Sequence, residues 1–145
     1  MAEQTGTRVR VILKWLQILE SLDTDDTGEF VFSFRVFTRN NGGMIQETRL
    51  PEEGHLEISE SRMSNRLDHI NKVLFDGYVS DHLKIEAQGE EIDQFSANEL
   101  LDQYQREFTG DVATFLGRHN PGDEGSIDPE NMGNWRICYD IEAVS

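Results

Sequence analysis

Residues 23 to 29 read Asp23-Thr24-Asp25-Asp26-Thr27-Gly28-Glu29, a run of carboxylates closed by a Gly and a further acid. Side-chain oxygens at alternate positions followed by Gly match the first half of an EF-hand loop, where they face a calcium ion and the Gly permits a sharp turn. The second half departs from that pattern. Phe34 stands where the bidentate Glu belongs, and the flanks read as strands, which rejects an EF-hand. The chemistry that survives is more general: closely spaced carboxylates repel one another, and a divalent cation relieves the repulsion. Asp-Asp-Thr-Gly is equally good turn chemistry that needs no ion. Both readings stand.

Other reactive groups offer less. His55, His69, His82 and His119 are scattered, with no His-x-x-x-His pair, and read as surface or hydrogen-bonded side chains rather than metal ligands or bases. Cys138 lies on the polar side of the final strand pattern, and an acidic chain gives a catalytic thiol little electropositive support. Gly125-Ser126 sits in no Gly-x-Ser-x-Gly frame, and Gly42-Gly43 follows Asn-Asn as a turn, not a phosphate loop. Arg62, Arg66 and Lys72 form a modest basic cluster, with Met63, Leu67 and Ile70 between them at helical spacing, so a short helix or ordered crossover fits there. Trp15 and Trp135 read as core or rim aromatics. Trp15, Arg62 and Arg66 are the candidates for a ligand-contact patch.

The elements that must position these groups alternate at period two, the signature of strands with one buried face. Val9, Val11, Leu13 and Trp15 share a face, after which Leu16, Ile18 and Leu22 fall on even positions. That slip of one predicts a β-bulge near Trp15 to Gln17. A helix over Val9–Leu22 competes, but the β-branched residues at its start favour a strand. Phe30, Phe32, Phe34 and Val36 mark a central strand, and Asn40-Asn41-Gly42-Gly43 predicts a hairpin back through Met44–Leu50. Further strands are expected at His55–Glu60, Lys72–Val79 and His82–Ala87. Ser96-Ala97-Asn98-Glu99 reads as a capping box ahead of Leu100, Leu101, Tyr104 and Phe108, which predicts a helix near residues 97–109 stopped by Gly110. Asp111–Leu116 is ambiguous, Arg118–Asn134 reads as a polar loop, and Trp135 to Ala143 alternates as a final strand.

The chain has 145 residues and a formal net charge of -15, from 28 Asp+Glu against 13 Lys+Arg. That length fits one domain, read as residues 7–145 behind a loose tail over residues 1–6. The acidity disfavours a nucleic-acid ligand, because the phosphate backbone would be repelled unless a cation intervened. A single Cys excludes an internal disulfide framework and a multi-cysteine zinc site. No apolar run reaches the ~18 residues of a spanning helix, and the first residues lack a signal peptide's apolar segment, so a soluble, cytoplasmic protein is expected.

Taken with these strands, the acidic stretch resembles a C2 domain, an eight-stranded sandwich that often binds calcium at one end. In that family a strand ends in Asp and a second Asp follows six residues later, before the next strand. Asp23 fits the first position, and Glu29, before Phe30-Val31, fits the second with Glu for Asp. Asn71-Lys72-Val73-Leu74-Phe75 is similar to the family's Asn-Pro-x-Trp, and His82-Leu83-Lys84-Ile85-Glu86-Ala87-Gln88-Gly89-Glu90 to the strand that leads into its third calcium loop. Gln88 and Glu90 stand where that loop has its first two Asp residues, while Glu91 and Asp93 are off the usual spacing. The resemblance implies an antiparallel, eight-stranded, C2-like β-sandwich with one inserted helix.

It also implies a candidate calcium site drawn from Asp23, Asp25, Asp26, Glu29, Glu90 and Asp93. The functional expectation is a non-enzymatic binding module that contacts a protein partner through its acidic end loops, with phospholipid as a partner only where calcium is bound. The alternatives are a metal-free acidic domain that recognises a basic partner and, last, a metal-assisted hydrolase.

Overall fold

The computed structural model describes residues 6–18, 27–39, 45–59, 66–92, 99–122, 127–132 and 135–144. Asp23, Asp25, Asp26, Arg62 and Asp93 lie outside the described residues, as do the Asn40–Gly43 turn and the Ser96–Asn98 half of the capping box.

The opening strand, β1 (Thr7–Ile18), buries Val9, Val11 and Leu13 and then Leu16 and Ile18. The change of phase comes from a bulge at Lys14: Leu13 lies opposite Tyr139 and Trp15 opposite Cys138, with no partner for the residue between. The extra residue sits just ahead of the Trp15–Gln17 stretch and lets both apolar sets face the same core. The next strand, β2 (Thr27–Phe37), turns Phe30, Phe32, Phe34 and Val36 inward and lies at the centre of its sheet. It forms the expected hairpin with β3 (Ile45–Leu50) and also pairs with β4 (Leu56–Ser59).

The remaining strands are β5 (Arg66–Leu67), β6 (Lys72–Val79), β7 (His82–Glu91), β8 (Glu99–Leu100), β9 (Tyr104–Thr109), β10 (Gly117–His119) and β11 (Trp135–Ala143). They build two antiparallel sheets. In the first, β10, β11 and β1 lie side by side, and β5 and β6 share the far edge of β1. In the second, β3 and β4 share one edge of β2, β7 pairs with its other edge, and β8 and β9 share the far edge of β7. The expected count of eight is therefore corrected. Among the described residues eleven strands fill the two sheets, because three positions are each occupied by two segments in succession.

The inserted helix near residues 97–109 is also corrected. Among the described residues the only helical segment is a 3-10 turn, Val112–Thr114, and Tyr104–Thr109 is an edge strand. Tyr104 and Phe108, four residues apart, satisfy helical and strand periods alike. Arg106, midway between them, is half-buried on the same face, as a strand requires. Two further expectations change. Arg66-Leu67 is extended rather than helical, and a strand, Gly117–His119, takes up the start of the expected Arg118–Asn134 loop.

The two inner faces meet in an aromatic core, where the rings of Phe32 and Trp135 lie 5.3 Å apart. Gly89, opposite Phe32 in the ladder, keeps that contact clear: a Cβ there would come within 2.7 Å of the Phe32 ring and 2.6 Å of Leu101. Polar contacts link the sheets along both flanks. On one side the Gln46 carboxamide donates to the Asp76 carbonyl (3.0 Å) and accepts from the Asp76 N–H (2.9 Å), imitating a neighbouring strand. On the other, Tyr104 of β9 meets Tyr139 of β11 and the buried Glu130.

Candidate functional site

Glu29 sits three residues into β2, directly opposite Glu57 of β4. Inward residues alternate with outward ones along a strand, so with Phe30 in the core both carboxylates lie on the outer face of the second sheet. His55 precedes β4 at the end of a corner held by Arg49, whose guanidinium donates to the carbonyls of Pro51 and Gly54 at 2.7 Å each. The corner brings His55 Nε2 to 3.6 Å from Glu29 Oε1. One ligand atom from each of Glu29, His55 and Glu57 lies within 4.8 Å of the others.

The same end receives the last turn of the ladder from β7. Glu90 lies opposite Val31, so it shares the outer face with Glu29 as a diagonal neighbour, and the Ile92 N–H donates to the Glu29 carbonyl at 2.7 Å. Glu91 turns inward and is buried. Among the described residues, no Lys or Arg forms an ion pair with Glu29 or Glu57. Further along the same face, a groove of about 480 Å³ is lined by Ser33, Arg35, Glu47, Arg49, Glu86 and Gln88, among others.

Of the residues singled out in the sequence, the structure thus brings Glu29 and Glu90 onto one face. It brings Trp15 and Arg66 together elsewhere, on the outer face of the first sheet. There the Arg66 guanidinium lies 3.8 Å from the centre of the Trp15 ring and also pairs with Asp68 at 2.7 Å. Arg136 approaches the same ring at 5.7 Å and donates to Gln17 and to the Gly122 carbonyl. This face holds most of its cations in pairs. Arg8 and Arg10 converge on Asp76, whose carboxyl is held below the usual range by the Arg8 hydrogen bond, and Arg118 and Lys14 converge on Asp140.

Cys138 belongs to that outer face by alternation, yet it is fully buried, which corrects the polar position expected of it. Burial pushes its thiol up to about 11, so it stays protonated at neutral pH. Two histidines are locked in structural hydrogen bonds. His82 accepts from the Arg39 N–H at 3.1 Å and bonds Glu107 at 2.7 Å, an interaction that lowers the Glu107 carboxyl. His119 bonds the Phe115 carbonyl at 2.8 Å, and its burial lowers its basicity.

The sequence reads His55 as a surface or hydrogen-bonded histidine and does not single out Glu57, because neither belongs to a spaced motif. Only the pairing of β2 with β4 makes them neighbours of Glu29. No protein-family model, curated protein or solved structure matches this chain.

Proposed function

We propose that the chain is a non-enzymatic binding module that works through the acidic end of its second sheet, with a divalent cation, calcium in the first instance, offsetting the carboxylates at the contact. One observation carries this reading. Glu29 and Glu57 face each other across paired strands with Glu90 beside them, and no described Lys or Arg pairs with the first two. A like-charge pair of this kind, with no described Lys or Arg beside it, favours an external cation, whether a metal ion or a basic group on a partner protein. The sandwich acts as a rigid frame, and contact is made by the strand ends and loops it holds apart. Asp23, Asp25, Asp26 and Asp93 are proposed as additional oxygen ligands from the connections that follow β1 and β7. A cation held there would also be the means by which so acidic a chain meets a phospholipid surface.

Calorimetry and thermal melting under a calcium titration test the proposal. A site saturated ~100-fold over its Kd raises Tm by several degrees. The rise is expected to vanish in Asp23→Asn combined with Glu29→Gln. No shift at millimolar calcium overturns the calcium-dependent form. Partner binding that survives chelation and weakens with salt would then mark the metal-free form, steered by long-range charge.

A further inference from the structure

We infer that Glu29, His55 and Glu57 form a binding site for a transition-metal ion of the zinc class; this rests on the preceding reading only through Glu29, which both would use. The strand register forces the Glu29 and Glu57 carboxylates together, an arrangement that is unfavourable between like charges and that no described Lys or Arg relieves. The His55 contact is the second, independent observation. At 3.6 Å, Nε2 and Glu29 Oε1 are too far apart for a hydrogen bond. Two donors bound at ~2.0–2.1 Å around a tetrahedral ion stand about 3.4 Å apart, close to what is seen. The third donor falls within the same 4.8 Å sphere.

The donor set decides the class of ion. Calcium takes six to eight oxygens and has little use for an imidazole, whereas one nitrogen and two carboxylate oxygens suit zinc or cobalt with water completing the shell. His55 and Glu29 side chains are 39% and 31% exposed, which leaves an approach for the ion and room for that water. The frame is fixed before any ion arrives: two ligands lie on paired strands and the third follows a corner pinned by Arg49.

The test titrates the full chain with cobalt, read by its visible absorption, and with zinc, read by calorimetry. The parallel variants are His55→Gln, Glu57→Gln and Asp23→Asn, with calcium as a separate arm. One ion per chain is expected, with affinity falling about 10-fold or more in His55→Gln and Glu57→Gln and unchanged in Asp23→Asn. His55 and Glu57 lie outside the core, and equal melting without metal would show each variant's fold intact. Zinc or cobalt bound equally well by His55→Gln overturns the inference, since the ion would then sit elsewhere. Calcium binding without zinc binding overturns it and leaves the calcium reading standing. Binding of neither ion overturns both.

Discussion

Two clusters in this molecule each set a glutamate beside a histidine and end in opposite states. At the flank between β9 and β11, Glu130 is 3% exposed and accepts from Tyr104 (2.7 Å) and Arg106 (2.8 Å). Because Tyr104 donates to Glu130, its oxygen is left to accept from Tyr139 at 2.6 Å. His119 lies 3.4 Å from Arg106 and stacks on Tyr139. At the end of β2, Glu29 and Glu57 also share a histidine, but no described arginine joins them; Glu29 is half-buried and the other two side chains are exposed. The closed cluster has a guanidinium and two phenols that no described residue supplies to the open one. With Arg106 in place a carboxylate is buried and closes the sandwich; without a described counterpart, the Glu29 group stays at the surface.

The largest expected effect comes from breaking the closed cluster. Glu130→Ala takes the carboxylate from Arg106 and from the Tyr104 hydroxyl, at a cost of about 3–5 kcal/mol, a figure for buried pairs broken on one side. A fall of roughly ten degrees in Tm should follow for a chain of this size. Replacing Glu130 and Arg106 together by Leu should recover much of that loss, because no lone charge remains. If the double substitution melts as low as Glu130→Ala, the cluster's value lies in its hydrogen bonds rather than in charge balance.

The opposite flank sharpens the contrast, because there the seam is neutral. Gln46→Ala removes two hydrogen bonds to the Asp76 backbone, which is half-buried and partly reachable by water. The expected cost is about 1–2 kcal/mol by chemical denaturation, well below that of Glu130→Ala. Equal costs at the two flanks would mean that burial of charge is not what separates them.

A smaller, pH-dependent effect belongs to His119. Its burial holds the imidazole neutral in the fold, with its pKa below the unfolded value of about 6.5. The unfolded chain therefore binds the proton first as pH falls, so the stabilising contribution is present above about 6.5 and is lost below it. Melting at pH 7.5 and 5.5 should show a smaller pH-dependent loss in His119→Gln than in the native chain. An identical loss would place the acid sensitivity on other groups.

How far the chain could be read in advance follows from the same physics. The phase slip in β1, the four inward residues of β2 and the existence of the final strand were all legible, because each carries apolar residues at alternate positions that the core takes up. The segment from Glu99 to Thr109 was not, because Tyr104 and Phe108 fit two periods and only pairing with β7 decides between them. Cys138 was misplaced for a related reason: alternation gives its face, but Trp15 opposite it and the surrounding arginines decide whether that face meets water. Glu29 was visible as one of a run of acids. That Glu57 and His55 would complete its surroundings depended on a register that no local pattern encodes.

The smallest effect is the one that bears most directly on the comparison. Glu57→Arg gives the open cluster a guanidinium, placed directly opposite Glu29 on the neighbouring strand. An opposite-charge pair in place of a like-charge pair should stabilise the fold by about 0.2–1 kcal/mol, since the site is exposed and screened. High salt should shrink the gain, because salt weakens both the original repulsion and the new attraction. The same substitution should abolish cobalt and zinc binding, as the third ligand becomes a fixed positive charge at the ion's position. A Tm that rises slightly in low salt, together with a silent metal titration, would show that the cluster was open for want of a cation. A Tm that falls would mean the two glutamates already have an adequate solution in water, and the contrast with Glu130 would then rest on burial alone.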